Sequence, residues 1–345
     1  MATTKADSTI RVVLAGSVGS SKVTLQSLLH HNINVVGVLG LSEKVSKHVS
    51  GYASLKEIAQ NSSIEYYDFD SINKPAVIKK VKDWQPDLFF VVGLSQMVGK
   101  ELLDISKRGN IGFHPTKLPK GRGRAPLAWL TYKKEVGAAT FFLMNNEADS
   151  GDIIVQETFY VNENDYAIDV NKKIEDAISR ALEKWLPKLL MKEWNPIKQN
   201  DDHASYYCRR TPMDGWIDWN KSAKDILHLI QATSRPHPGA YTLIKDYKII
   251  IWRANSGSDE NYTGIVGRIL KKENGHLLIQ TGSGLLWVTE WTILPPNNNY
   301  IPDEDLLRVG VKLGYYPEFE IYRLVKRIND LEKKIYKLEK NKREK

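Results

Sequence analysis

A histidine and a carboxylate beside a basic, glycine-rich turn are the residues of this chain best suited to chemistry. The run Gly109-Asn-Ile-Gly-Phe-His114-Pro-Thr-Lys-Leu-Pro-Lys-Gly-Arg122-Gly-Arg124 is followed, thirty-five residues after the histidine, by Asp149-Ser-Gly-Asp152. An imidazole donates a hydrogen bond or exchanges a proton near neutral pH, and a carboxylate partner fixes its tautomer. Together they suit acyl transfer. A His-Pro dipeptide also marks a plain strand-to-loop transition, so His114 by itself carries little and the surrounding run carries the argument. Arg122 and Arg124 offer forks of donors that suit a phosphate or carboxylate. Gly121 and Gly123 allow a close backbone approach, with a solvated loop as the plain alternative.

These residues need a scaffold. Ile10–Ala15 is a short β-branched run, followed by Gly16-Ser-Val-Gly19 and then by Val23, Leu25, Leu28 and Leu29 at helical spacing, which reads as strand, turn, helix. Similar units recur, with strands predicted at Val35–Leu39 and Leu88–Val92 and a helix at Lys74–Trp84. The expected fold class is α/β, a mostly parallel Rossmann-like sheet with helices on both faces, which binds ligands outside the carboxyl ends of its strands. A strand at Asn110–Phe113 delivers His114 to that edge. Gly16-Ser-Val-Gly19 lacks the third glycine of a dinucleotide fingerprint, which argues against NAD.

Asp165–Lys192 carries Val170, Ile174, Ile178, Leu182 and Trp185 at three- and four-residue intervals, an amphipathic helix that closes the first domain. The strand-like runs Lys248–Arg253, Thr263–Leu270, Leu277–Gln280 and Leu285–Val288 predict a small β-barrel-like second domain. Trp216 and Trp219 are expected to fill the domain junction rather than stack on a base. Asp214 and Asp218 suit sugar hydroxyls and plain solvation equally. The divisions expected are a catalytic domain over 1–195, a linker over 196–202, a small β-rich domain over 203–312 and a helical tail over 313–345. In that tail Ile321, Leu324, Ile328, Leu331, Ile335 and Leu338 alternate at three and four, and Ile at a with Leu at d favours a parallel two-stranded coil. A homodimer is expected, with packing on the chain's own body as the alternative.

The 345 residues are 42% hydrophobic, enough for an ordinary core and too apolar for a disordered chain. The single Cys208 permits neither an internal disulfide nor a thiolate zinc cluster, pointing to a cytosolic protein. Met1–Thr9 is polar and no membrane span is expected. The remaining histidines show no metal-ligand pairing, so no metal is expected. The formal charge of +8 sits largely in the tail, so nucleic acid is not the expected partner, and a basic surface also attracts a pyrophosphate-bearing substrate.

The segments Pro86-Asp-Leu-Phe-Phe-Val-Val-Gly, His114-Pro-Thr-Lys-Leu-Pro, Arg122-Gly-Arg-Ala-Pro-Leu-Ala-Trp129 and Asp149-Ser-Gly-Asp-Ile resemble the folate-dependent formyltransferases. Tyr206-Tyr-Cys-Arg-Arg-Thr-Pro-Met-Asp214-Gly-Trp-Ile-Asp218-Trp219 and Arg235-Pro-His-Pro-Gly-Ala-Tyr241 are similar to the nucleotide-sugar branch, and the likeness covers roughly residues 10–290. It implies transfer of a formyl group from N10-formyltetrahydrofolate to an amine through a tetrahedral intermediate. By that resemblance His114 and Asp149 are catalytic, Ser17, Ser20, Arg122, Gly123 and Arg124 contact the acceptor, and Gly93, Leu94, Gln96, Met97 and Asp152 hold the folate. The family's third catalytic residue is an asparagine two before the histidine, where this chain has Gly112. Losing one oxyanion donor costs ~10²–10³ in turnover. Asn110 shares a strand face with His114 and is the candidate replacement, with a backbone N–H, a water, or loss of activity as the open alternatives. The short loop after the second strand points to a nucleotide-linked amino sugar as acceptor rather than to methionyl-tRNA. A non-catalytic nucleotide-sugar or folate-binding relative is the other reading.

Overall fold

The computed structural model describes residues 10–193, 195–296, 306–314 and 317–343; the polar start Met1–Thr9 lies outside them. The first half alternates strands and helices: β1 (Arg11–Gly16), α1 (Gly19–His30), β2 (Asn34–Leu41), α2 (Glu43–Ser46), α3 (Lys56–Asn61), β3 (Tyr66–Phe69), α4 (Pro75–Trp84), β4 (Leu88–Val92) and α5 (Lys100–Leu103). It continues through β5 (Asn110–Thr116), β6 (Arg122–Gly123), α6 (Pro126–Lys133), β7 (Gly137–Leu143), β8 (Ile153–Phe159), α7 (Ala167–Leu190) and β9 (Tyr206–Tyr207).

Seven of these strands form one sheet in the order β3-β2-β1-β4-β5-β7-β8. It is parallel from β3 to β5 and antiparallel at β5–β7 and β7–β8. Successive side chains of a strand point to opposite faces. Val12 and Leu14 of β1 therefore join one apolar cluster with Leu25 and Leu28 of α1, while Val13 and Ala15 join another with Val77, Val81 and Trp84 of α4. Both faces are covered, which is why β1 and β4 read as uninterrupted apolar runs. The five residues picked out by helical spacing, from Val170 to Trp185, are all buried on α7, which packs on α1, α6, β7 and β8.

The chain separates into two compact units, residues 1–215 with 231–239 and residues 216–230 with 240–345. Residues 196–202, read from the sequence as a linker, thus lie within the first unit. The second unit contains most of α8 (Ala223–Thr233) and the strands β10 (Ala240–Ile244), β11 (Tyr247–Ser256), β12 (Ile269–Glu273), β13 (His276–Gln280) and β14 (Leu285–Leu294), then α9 (Pro317–Arg343). Its antiparallel sheet has the order β10-β11-β14-β13-β12. The run Thr263–Leu270 is corrected, since only its last two residues enter β12. Gly267 at φ +81° puts a left-handed turn where an extended strand was expected. Trp219 is buried and its indole N–H donates to Thr242 Oγ1 at 3.0 Å, so it serves the core of this unit.

Candidate active site

His114 lies inside β5, not after it. The strand runs on to Thr116, correcting the expected end at Phe113, and its register against β7 slips between His114 and Thr116. The ring is 5% exposed. Its Nε2 lies 2.8 Å from the Gly121 carbonyl oxygen. A carbonyl only accepts, so Nε2 carries the hydrogen and Nδ1 is left as the nitrogen that takes or gives a proton. Nδ1 is 3.5 Å from Asp149 Oδ2. Nδ1 and the carboxylate thus face each other directly.

The carboxylate is held in turn by the glycine-rich loop. Gly123 N–H donates to Asp149 Oδ2 at 2.8 Å. Gly123 sits at φ +105°, and a Cβ there would lie 2.5 Å from the Tyr207 carbonyl oxygen. The residue is glycine because the backbones of β6 and β9, paired in parallel, pass too closely for a side chain. Gly121, at φ +73°, has Tyr207 and Thr116 against its missing Cβ, and its N–H donates to Ser205 Oγ at 2.9 Å. The glycines thus admit another stretch of this chain.

Arg122 is corrected from a ligand contact to a buried tie. Its side chain is 2% exposed, and Nη2 donates to Gln199 Oε1 at 2.8 Å and Asp201 Oδ1 at 2.7 Å. Nε also donates to Gln199 Oε1, at 3.2 Å, and Nη1 to the Tyr206 hydroxyl at 3.3 Å. Four of the five N–H donors are used within the chain, so the fork is not presented to a phosphate. Arg124 is exposed, and its side chain donates from Nη1 to Ser95 O at 3.0 Å.

Gln199 had no signal in the sequence. It is buried, and its Nε2 donates to the carbonyl oxygens of Asp149, at 2.9 Å, and Gly151, at 2.7 Å. Asp149 is in the left-handed region at φ +57°, a conformation that costs a non-glycine residue of order 1 kcal/mol or more unless its surroundings impose it. These two bonds and the Gly123 N–H supply that constraint. Only tertiary contact brings Gln199 to residues about fifty positions earlier.

Asn110 is not brought to the pair. Four residues of extended strand separate it from His114 by ~13 Å, and its amide donates to Leu103 O at 2.8 Å. Nor is there room for an amide at Gly112. A Cβ built there meets Phe142 Cζ at 2.6 Å and Met144 Cγ at 3.0 Å, so apolar side chains from β7 and the residue after it fill the space.

The remaining expected contacts divide. Ser17 is buried, and its hydroxyl donates to Gly93 O at 3.0 Å, so its proton is committed inside the chain. Ser20 is buried on α1 and packs beside Gly93, which lies at φ +61°. Gln96 uses both ends of its amide on backbone, Oε1 accepting from Ile72 N–H at 2.7 Å and Nε2 donating to Asp70 O at 2.8 Å. It braces the loop after β4 rather than presenting an amide to a ligand. Leu94 and Asp152 are half-buried and Met97 is exposed. In β9, Tyr207 stacks on Trp129 at 5.8 Å and donates its hydroxyl hydrogen to the Glu135 carboxylate. Burial first, then that carboxylate, pushes the phenol's pKa up and keeps it protonated. Among the described residues, no group of three or more His, Cys, Asp or Glu could hold a metal ion, and no helix is long and apolar enough to cross a membrane.

Residues 10–186 match the family described as formyl transferase, and residues 210–299 match the formyl transferase C-terminal domain. The chain belongs to the formyl transferase family. Solved structures share its fold at low identity. HypX from Aquifex aeolicus in complex with tetrahydrofolic acid is 16% identical with a TM-score of 0.60, over 83% of this chain and 46% of HypX. The formyltransferase chain therefore spans about half of HypX. An N-formyltransferase from Helicobacter canadensis, in complex with folinic acid and dTDP-3-aminofucose, is 18% identical with a TM-score of 0.58, over 82% of this chain and 100% of that one. Methionyl-tRNA formyltransferase from Clostridium thermocellum is 16% identical with a TM-score of 0.53, over 83% and 99%.

Proposed function

We propose that this formyltransferase moves a formyl group from N10-formyltetrahydrofolate to the amine of a nucleotide-linked amino sugar. The observation that carries the reading is the poised ring, with His114 Nε2 fixed by the Gly121 carbonyl and Nδ1 turned to Asp149 at 3.5 Å. When the amine attacks, a C–N bond forms at the formyl carbon and negative charge grows on the formyl oxygen. His114, protonated at Nδ1, donates to that oxygen. Asp149 holds the imidazolium and relays the proton lost by the amine towards the departing folate nitrogen, so the proton count closes as the C–N10 bond breaks. Leu94 and Met97, beyond β4, together with the backbone of Gly93 and with Asp152, are the proposed folate contacts. Exposed Arg124 is the proposed anchor for the acceptor's phosphates. Two copies of the chain form the working unit, a homodimer supported by the bare apolar face of α9.

The acceptor class is supported by the short loop after β2 and by the likeness to a sugar N-formyltransferase over its full length. A second reading is a relative that binds these ligands without catalysis, and the apolar filling of the space at Gly112 favours it. One assay separates the readings. Protein is mixed with N10-formyltetrahydrofolate and, in separate arms, a panel of nucleotide-linked amino sugars or methionyl-tRNA, and binding and release of tetrahydrofolate are followed. Release dependent on an amino sugar supports the proposal, release only with methionyl-tRNA replaces the acceptor, and binding without release establishes the non-catalytic relative.

A further inference from the structure

Residues 321–339 of α9 are exposed. Ile321, Leu324, Ile328, Leu331, Ile335 and Leu338 are each 50–63% exposed, a row of aliphatic side chains left in water along one helix face. From 321 to 338 isoleucine holds each a position and leucine each d position. The flanking charges add what the apolar row leaves open. Within residues 321–339, position g is Arg327 and then Lys334, while position e is Val325, then Glu332 and Glu339. In a parallel pair, each g residue faces the e residue of the partner's next heptad. Arg327 then meets Glu332 of a second copy, and Lys334 meets Glu339. Over residues 321–339 an antiparallel pair sets g against g and e against e, bringing cations against cations and carboxylates against carboxylates, which is unfavourable.

We propose that α9 pairs with α9 of a second copy of this chain as a parallel, in-register, two-stranded coiled coil whose orientation is chosen by the Arg327–Glu332 and Lys334–Glu339 contacts. This deepens the homodimer reading above. Full-length protein at tens of micromolar, examined by light scattering after gel filtration, is expected to show the mass of two chains. Reversing one side of the code with Glu332→Lys and Glu339→Lys halves the mass, as does reversing the other with Arg327→Glu and Lys334→Glu. An equimolar mixture of the two variants regains the two-chain mass. A wild-type monomer overturns both the coil and the homodimer. A dimer that survives Ile328→Asp with Leu331→Asp overturns the coil alone, and reversal variants that dimerise separately overturn the parallel register.

A different observation carries a second inference, which rests on the His114–Asp149 reading. The geometry assigns Gln199 as a positioning residue for Asp149, because its amide spans the carbonyls of Asp149 and Gly151 while its oxygen is held by Arg122. Gln199→Glu keeps the acceptor for Arg122 and replaces the N–H donor with an oxygen facing two carbonyls. The expected result is about a tenfold fall in kcat, KM within about twofold, and faster amide exchange across residues 149–152. In an Asp149→Asn background the same change adds nothing further to the fall in kcat, since coupled residues are non-additive. Unchanged exchange overturns the assignment whether or not the protein transfers formyl groups. An additive loss of kcat in the double variant overturns it as well.

Discussion

Around His114 the polar groups are bonded within the chain, whereas along α9 six aliphatic side chains stand in solvent. At the first place Arg122 and Gln199 spend their donors on neighbours. At the second, the apolar row finds no cover among the described residues of its own chain. The contrast separates two uses of sequence. A rigid site is built by satisfying buried groups locally. An assembly surface is built by leaving a periodic stripe unsatisfied.

Removing the pair should separate the two regions most sharply. His114→Asn and Asp149→Asn are each expected to lower single-turnover formyl transfer ~10²–10⁴-fold, with the two-chain mass unchanged. A loss under threefold for either would show that the buried arrangement is structural only. Next in size is the contrast between neighbouring arginines. Arg122→Ala strands the buried Gln199 Oε1, while Asp201 stays in solvent, and is expected to cost about 1–3 kcal/mol in urea unfolding. Arg124→Ala should cost within about 0.5 kcal/mol and show itself instead as a raised KM for the acceptor. Equal stability losses would erase the distinction between tie and anchor.

Gly112→Asn tests whether the family's amide can be put back. Phe142 and Met144 occupy its space, so overpacking is expected to cost about 1–3 kcal/mol with no gain in kcat. A stable variant that turns over faster would mean that β7 yields readily. The smallest effect concerns His237, which burial, aided by Arg210, pushes down to about 4. The unfolded chain binds this proton near the ordinary value of ~6.5 and the folded chain does not until about 4, so the unfolded state holds more protons between those values. Stability contributed here is intact above ~6.5 and falls as pH drops towards 4. Melting curves at pH 7.5 and pH 5 should show a fall of a few degrees that His237→Gln diminishes.

Much of the scaffold was legible from spacing. The apolar runs at β1 and β4 and the three-and-four rhythm of α7 are direct consequences of where those side chains are buried. The run Thr263–Leu270 misled because β-branched content says nothing about a glycine at positive φ. The glycine-arginine loop misled in a more informative way. Its composition suits an anion, and composition cannot reveal that Tyr206, Tyr207, Gln199 and Asp201 fold back onto it.

The order of residues along the chain determined which groups are available: one imidazole in a strand at the sheet's carboxyl edge, one aspartate after a hairpin strand, and a heptad of isoleucine and leucine with opposite charges at its flanks. These depend on local period and side-chain type. Only the folded structure decided that Asp149 faces Nδ1, that Gly121 fixes the tautomer, that Arg122 is a tie while Arg124 is free of the core, and that the place of the missing amide is filled by Phe142. Each of those depends on a contact between residues far apart in sequence, where a shift of one ångström makes or breaks a hydrogen bond and no periodicity records the meeting.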